Sequence, residues 1–129
     1  MDVARYDVED LRQALLAGDA ARASRLLDGL RAEGVAAPLV LWIIVAELRT
    51  LAIARAEMDA GRSADEALAT ARIFGAQQSP YRRALARLSS GATRTALMQA
   101  ARLDRMIKGV ARGDVWDEFL QIALRICAR

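Results

Sequence analysis

The stretch PLVLWIIVAELRTLAIARAEMDA, residues 38–60, decides the fold class of this 129-residue chain. It is long and mostly apolar, it opens with a proline, and its large apolar side chains recur at helical spacing. We predict one helix that has Pro38 at its first position and is stopped by Gly61. Because residues 39–46 are apolar all round, we expect the first half of this helix to be buried on every side, with Trp42 anchoring the core.

Capping residues and glycines divide the rest of the chain into further helices. The sequence SADE at residues 63–66 is a capping box, and aspartates precede several other apolar stripes, as N-caps do. The additional helices are expected from Asp7 to about Ala17, from Ala20 to Glu33, from Ser63 to near Gly75, from Ser79 onward, from about Ala92 to Gly109, and after the cap Asp114. Trp116 lies on the apolar stripe of the last helix, so we expect it in the core. No strand pattern, linker or fixed repeat is present, and the prediction is an all-α, single compact helical bundle of about seven helices over residues 1–129.

The residue types that are missing exclude most catalytic chemistry. The chain has no histidine and a single cysteine, Cys127, which excludes a Ser-His-Asp triad, a Cys-His pair, a histidine-ligated metal and an internal disulfide. Neither of the glycine-rich phosphate-binding motifs, GxxxxGK[ST] and GxGxxG, occurs. Carboxylates cluster at residues 7–10, 57–59 and 117–118, where they complement helix starts or keep a surface polar. We therefore expect no catalytic residue, no cofactor, no metal and no enzyme activity.

We expect a soluble protein without a membrane partner. The longest unbroken apolar run, residues 39–46, is far shorter than the ~18–20 residues that span a bilayer. The N-terminus is polar and does not resemble a targeting signal. A lone cysteine is typical of a reducing compartment, and the predicted location is cytoplasmic.

Charge is unevenly distributed along the chain. Residues 1–65 hold 8 Arg and 11 Asp or Glu, whereas residues 66–129 hold 11 Arg or Lys and 5 Asp or Glu. Within the second half, residues 72–112 carry nine cations and one anion. A protein with such an asymmetry often faces a charged partner.

One aromatic residue stands in this basic segment. Phe74 lies beside Arg72, with Arg82 and Arg83 shortly downstream. An exposed aromatic side chain among arginines can stack an unpaired base while the arginines contact phosphates, so these four residues are candidate contacts for single-stranded DNA. The alternative is that Phe74 packs in the core at the end of the bundle and that the arginines are simply solvated.

Short motifs along the whole chain resemble the C-terminal domain of the bacterial DNA polymerase III delta subunit, the wrench subunit of the clamp loader. The motifs are RYDVEDL at residues 5–11, LLAGD at 15–19, LLDGLRAEG at 26–34, PLVLW at 38–42, ELRTL at 47–51, RIF at 72–74, ALARLS at 84–89, LDRMIKG at 103–109 and DVWDEF at 114–119. They follow the family's order and spacing across residues 5–129. The chain departs from the family at Phe74, where tryptophan is common, and in the loop of residues 110–113, which lacks an aromatic residue.

The resemblance implies an assembly role. In this family the domain is a helical collar that joins the collars of neighbouring loader subunits, so the implied partners are the ATPase subunits and the delta-prime subunit. The sliding clamp would be contacted only through the N-terminal ATPase-like and lid domains, which this sequence lacks, and we expect the chain to be a fragment. Asp104 and Lys108, an i, i+4 pair in the favourable order on the long sixth helix, are the collar-interface candidates.

Two other functional classes stay open at this point. One is a stand-alone helical ligand-binding or dimerisation domain, which would need an internal cavity with mixed polar lining. The other is an enzyme that uses carboxylates alone, for which no further group converges on the acidic pairs.

Overall fold

A computed structural model describes the backbone of residues 3–128 and the side chains of residues 8–128. These residues form seven α-helices, one short 3-10 turn and no strand. The elements are α1 (Val3–Ala17), α2 (Ala20–Ala32), α3 (Ala37–Asp59), α4 (Ala64–Thr70), the 3-10 turn (Gly75–Gln77), α5 (Gln78–Arg87), α6 (Ser90–Ile107) and α7 (Val115–Cys127). The prediction of an all-α bundle of about seven helices is therefore confirmed.

The helix starts follow the capping signals of the sequence in most places. The side chain of Asp19 accepts a hydrogen bond from the backbone N–H of Arg22 at 3.1 Å, and Asp114 caps α7 in the same way. Ser63 and Glu66 form the expected capping box at the start of α4. The N-cap predicted at Asp7 is wrong, because α1 already begins at Val3 and Asp7 lies inside it.

Helix α3 is the centre of the bundle. It contacts α1, α4, α5, α6 and α7, and its buried face includes Ile44, Leu48 and Leu51. Among the described residues it is the one helix that is long and apolar enough to cross a membrane by length and composition, and 44% of its most apolar window is buried in the bundle. Contacts with five other helices account for the buried part of this apolar surface.

The prediction that the first half of α3 is buried on every side is wrong. Trp42 is 65% exposed and Leu39 is 41% exposed, so Trp42 does not anchor the core. The neighbouring helices cover one side of α3 and leave a strip of its surface open. Pro38 also occupies the second helical position instead of the first, since α3 begins at Ala37.

Trp116 lies at the rim of the core. It is partly buried, and its ring meets the ring of Phe119 edge-on, with the centroids 5.3 Å apart. Phe119 itself is fully buried. Trp116 therefore lies only partly in the core, where we expected it to be buried.

Helix α4 is shorter than the sequence indicated. It ends at Thr70, before the predicted limit near Gly75, because Arg72 takes the left-handed backbone conformation with φ of 66°. The backbone N–H of Ile73 then donates to the carbonyl of Leu68 at 2.8 Å, which closes the helix end. Phe74 follows in extended conformation and is displayed at the surface.

Candidate functional site

An apolar groove runs between α3 and α6. One part of it is an open cavity of about 600 Å³. The apolar lining comes from both helices and includes Leu41, Trp42, Val45, Leu97, Ala100 and Ile107. We call this surface, together with its continuation described next, the α3–α6 groove. An exposed tryptophan beside an open apolar cavity is typical of surfaces that bind another protein.

The groove continues along the full length of α3. A second depression, lined by Ala52, Ala56 and Asp59 of α3 and by Arg94 of α6, lies beyond the first. Leu97 borders both depressions, so they share a wall. The C-terminal half of α6 faces the N-terminal half of α3, and the N-terminal half of α6 faces the C-terminal half of α3. The two helices are therefore antiparallel, and the two depressions lie one after the other along them.

The charged residues on the rim of the groove are mostly basic. Lys108 and Asp104 form the predicted i, i+4 ion pair, with Nζ 2.9 Å from Oδ2, and both line the groove. Arg49 lines the same cavity from α3 and is exposed, as is Arg94 further along. Within residues 8–128, no carboxylate forms an ion pair with Arg49 or Arg94.

All four candidate DNA contacts are exposed, but two of them already have side-chain partners within the chain. Phe74 is 61% exposed, so the alternative that it packs in the core is wrong. Arg72 is also exposed, two residues before it. The side chain of Arg82 is held by Asp65, with Nη1 2.6 Å from Oδ1, whereas Arg83 contacts Ser79 and lines a different cavity.

That different cavity lies between α1 and α5, with a volume of about 410 Å³. Three arginines line it, namely Arg12, Arg22 and Arg83. Arg12 is paired with Glu9, and Arg22 lies 3.6 Å from Asp10. Most of the positive charge in this cavity is therefore neutralised from within the chain.

A buried polar network stands behind the same cavity. The hydroxyl of Tyr81 donates a hydrogen bond to Oε2 of Glu47, and Nη1 of Arg12 lies 3.9 Å from Oε1 of Glu47. Burial raises the pKa of Glu47 above its usual value, although the hydrogen bond from Tyr81 and the charge of Arg12 act in the opposite direction. Burial and the neighbouring carboxylate raise the pKa of Tyr81 as well. These groups are satisfied by one another and are part of the packing between α1, α3 and α5.

Two partly buried arginines have a structural role. Arg87 donates to the carbonyls of Leu15, Leu16 and Ile126 at 3.2–3.3 Å, and it thereby ties the ends of α1 and α7 to α5. Arg55 donates to the carbonyls of Leu85 and Leu88. No local pattern distinguishes these arginines from solvated ones, because their partners are 30 or more residues away. The basic segment consequently presents fewer free cations than its composition suggests.

No match was found when the chain was compared with models of known protein families and with curated protein sequences. Among residues 8–128, no group of three or more Cys, Asp or Glu side chains is placed to hold a metal ion. The α3–α6 groove, with its exposed tryptophan and basic rim, is therefore the strongest candidate for a functional surface.

Proposed function

We propose that this chain is the collar domain of a clamp-loader subunit of the delta type, an assembly domain without catalytic activity. The single observation that supports this proposal most strongly is the open α3–α6 groove, which carries an exposed Trp42 and also holds both interface candidates, Asp104 and Lys108. Collars assemble by packing helices against helices, and a groove between two antiparallel helices suits that mode of contact. The motif order described above, with its resemblance to the delta subunit, supplies the identity of the partners.

In this proposal the neighbouring ATPase and delta-prime collars cover the groove. Apolar contacts supply most of the affinity, with Trp42 as the anchor, because large aromatic side chains that become buried in an interface carry a disproportionate share of binding energy. The charged rim contributes orientation and association rate more than affinity. Nucleotide hydrolysis is left to the partner subunits.

The experiment is co-elution of the 129-residue chain with the ATPase and delta-prime subunits on size exclusion. We expect a complex with the unaltered chain and a loss of binding of at least about tenfold for Trp42→Ala. Met98→Ala is the matched control, because Met98 is exposed to the same extent on α6 but does not line the groove. Failure of the unaltered chain to join any loader subunit would contradict the proposal.

A second role is supported by the exposure of Phe74. Its ring is accessible and could stack an unpaired base of the template strand, while Arg72 contacts phosphate. Arg82 is already paired with Asp65 and Arg83 with Ser79, so we assign them a smaller share of this contact. The role is additional to assembly and uses a different surface.

The assembly role implies a cytoplasmic protein that works without a membrane. Burial of much of α3 in the bundle is compatible with this location. A stand-alone ligand-binding or dimerisation domain is the alternative. It predicts a homodimer of the chain on size exclusion, with no effect of added loader subunits.

A further inference from the structure

We infer that the α3–α6 groove binds a single amphipathic helix whose apolar stripe is flanked by carboxylates. The inference rests on the proposed function of the groove as an assembly surface, and it specifies the chemistry of the partner segment. It follows from the length of the groove, its apolar floor and the charges along its rim.

The length of the groove fits one helix. The lining runs from Pro38 at one end to Asp59 at the other, a span of 21 residues along α3. At 1.5 Å per residue this is roughly 30 Å, the length of a helix of about 20 residues. A seat formed by two antiparallel helices lets the side-chain ridges of a third helix fit between them, as in helical bundles.

The floor of the groove favours close approach of a helix. Ala52, Ala56 and Ala101 line the groove, and side chains this small leave room for a helix to approach closely. Trp42 projects at one end, where it is positioned to enter a pocket between two turns of the partner helix. Nucleic acid is a poor fit to this floor, since phosphates would gain nothing from the apolar residues that they cover.

The rim of the groove favours an acidic partner. Arg49 stands halfway along α3 and Arg94 near the start of α6, and both are exposed without an ion pair inside the described chain. The anions of the rim are Asp104, which is paired with Lys108, and Asp59 at the far end. Carboxylates beside the apolar stripe of the partner would therefore meet two unpaired cations spaced along the groove.

The test uses two designed helical peptides of about 20 residues with the same leucine stripe at i, i+3, i+4 and i+7 spacing. One carries glutamates beside the stripe and the other carries lysines, and binding to the 129-residue chain is measured by fluorescence anisotropy. We expect the glutamate peptide to bind at least about tenfold more tightly than the lysine peptide. Trp42→Ala should weaken the binding of both peptides, because it removes the apolar anchor.

Charge reversal makes the test specific. In the double variant Arg49→Glu/Arg94→Glu, the preference should change to the lysine peptide, and binding of the loader subunits should fall by a similar factor. Arg25→Glu/Arg31→Glu is the matched control, since it changes the net charge equally and both arginines are exposed on α2 and do not line the groove. Folding of each variant is checked by its thermal unfolding.

Several outcomes would overturn the inference. These are equal binding of the two peptides, tighter binding of a single-stranded oligonucleotide that depends on Trp42, or a homodimer of the chain that Trp42→Ala dissociates. Loader subunits whose binding depends on Trp42 but not on Arg49 and Arg94 would overturn the charge argument and leave the assembly proposal standing. Binding of the glutamate peptide without binding of any loader subunit would instead overturn the collar assignment alone.

Discussion

Tyr81 donates its hydroxyl hydrogen to Oε2 of Glu47, and the two residues are buried where α5 packs against α3. A buried carboxylate is tolerated only when its oxygens are satisfied, and here Tyr81 serves one oxygen while Arg12 lies 3.9 Å from the other. The pair therefore joins two helices through a polar contact inside an otherwise apolar interface.

We expect Tyr81→Phe to lower the free energy of unfolding by about 1–3 kcal/mol at neutral pH. Because the phenyl ring preserves the packing, the loss of stability measures the effect of removing the hydroxyl group that donates to Glu47. The measurement is urea denaturation of Tyr81→Phe, of Glu47→Leu, whose side chain cannot accept the hydrogen bond, and of the double variant. A double-mutant cycle with no coupling between the two positions would contradict this account of the contact.

The raised pKa of Glu47 predicts a specific pH dependence of stability. Because the native pKa lies above that of the unfolded chain, this residue's contribution is full below the unfolded pKa and is lost as pH rises through the native pKa. Glutamine has no such loss. As pH rises from about 4 to about 7, we therefore expect the free energy of unfolding of Glu47→Gln to increase relative to that of the unaltered chain. The measurement is urea denaturation at each pH. A difference that stays constant or reverses over this range would show that the native pKa is not raised.

Alanine substitutions at Gly18 and Gly34 can be compared to distinguish the cost of backbone strain from the cost of displacing Arg87. Both glycines have positive φ, 74° and 76°, so alanine at either position should destabilise by roughly 1 kcal/mol. A Cβ atom at Gly18 would also lie 2.8 Å from Cζ of Arg87, whereas nothing lies within 4 Å at Gly34. We expect the free energy of unfolding of Gly18→Ala to be lower than that of Gly34→Ala by about 1–3 kcal/mol. The reason is that the new Cβ atom displaces a guanidinium that donates hydrogen bonds to three carbonyls. In an Arg87→Ala background that difference should vanish.

The exposure of Trp42 predicts that it contributes little to folding. We expect Trp42→Ala to change the free energy of unfolding by less than about 1 kcal/mol, because its side chain is 65% exposed. Trp116→Ala should lower it by about 1.5–3 kcal/mol, since Trp116 is partly buried against Phe119. Chemical denaturation of both variants compares them directly. A large loss at position 42 would mean that the groove is closed in solution.

The sequence predicted the local elements of the fold and missed those that depend on distant residues. Asp19, Ser63 and Asp114 were recognisable as caps because each bonds a backbone N–H only two or three residues away. The bundle itself followed from apolar stripes and short connections. Periodicity reports that a face is apolar, however, and says nothing about what covers it, which is why Trp42 was expected in the core.

The candidate sites show the same limit. The spacing of Asp104 and Lys108 predicted their ion pair, but their place beside Trp42 required the packing of α6 on α3. Composition could not separate Arg87, which bonds carbonyls 39–72 residues away, from arginines that face solvent. Nor could it show that Arg82 is already paired with Asp65.

The surface around Phe74 leads to the last expectation. Because the ring is 61% exposed, Phe74→Ala should leave thermal stability nearly unchanged. Stacking of one base contributes about 1–3 kcal/mol, so weak binding of a single-stranded oligonucleotide should fall accordingly in low salt. Fluorescence anisotropy with a labelled oligonucleotide measures this loss, and differential scanning fluorimetry checks the fold. A marked fall in melting temperature with unchanged binding would contradict a DNA-contacting role of Phe74.

Asp65 provides the complementary test of the same surface. Its carboxylate pairs with Arg82, with 2.6 Å between Nη1 and Oδ1, so Asp65→Asn should remove the ion pair and leave that guanidinium only its hydrogen bond to Gln78. If single-stranded DNA passes Phe74 and Arg72, the freed Arg82 adds a phosphate contact, and we expect tighter binding with a steeper dependence on salt concentration. Asp28→Asn on α2 removes one exposed negative charge elsewhere and serves as the control for net charge. Equal gains in the two variants would indicate a general electrostatic effect and no DNA contact at this surface.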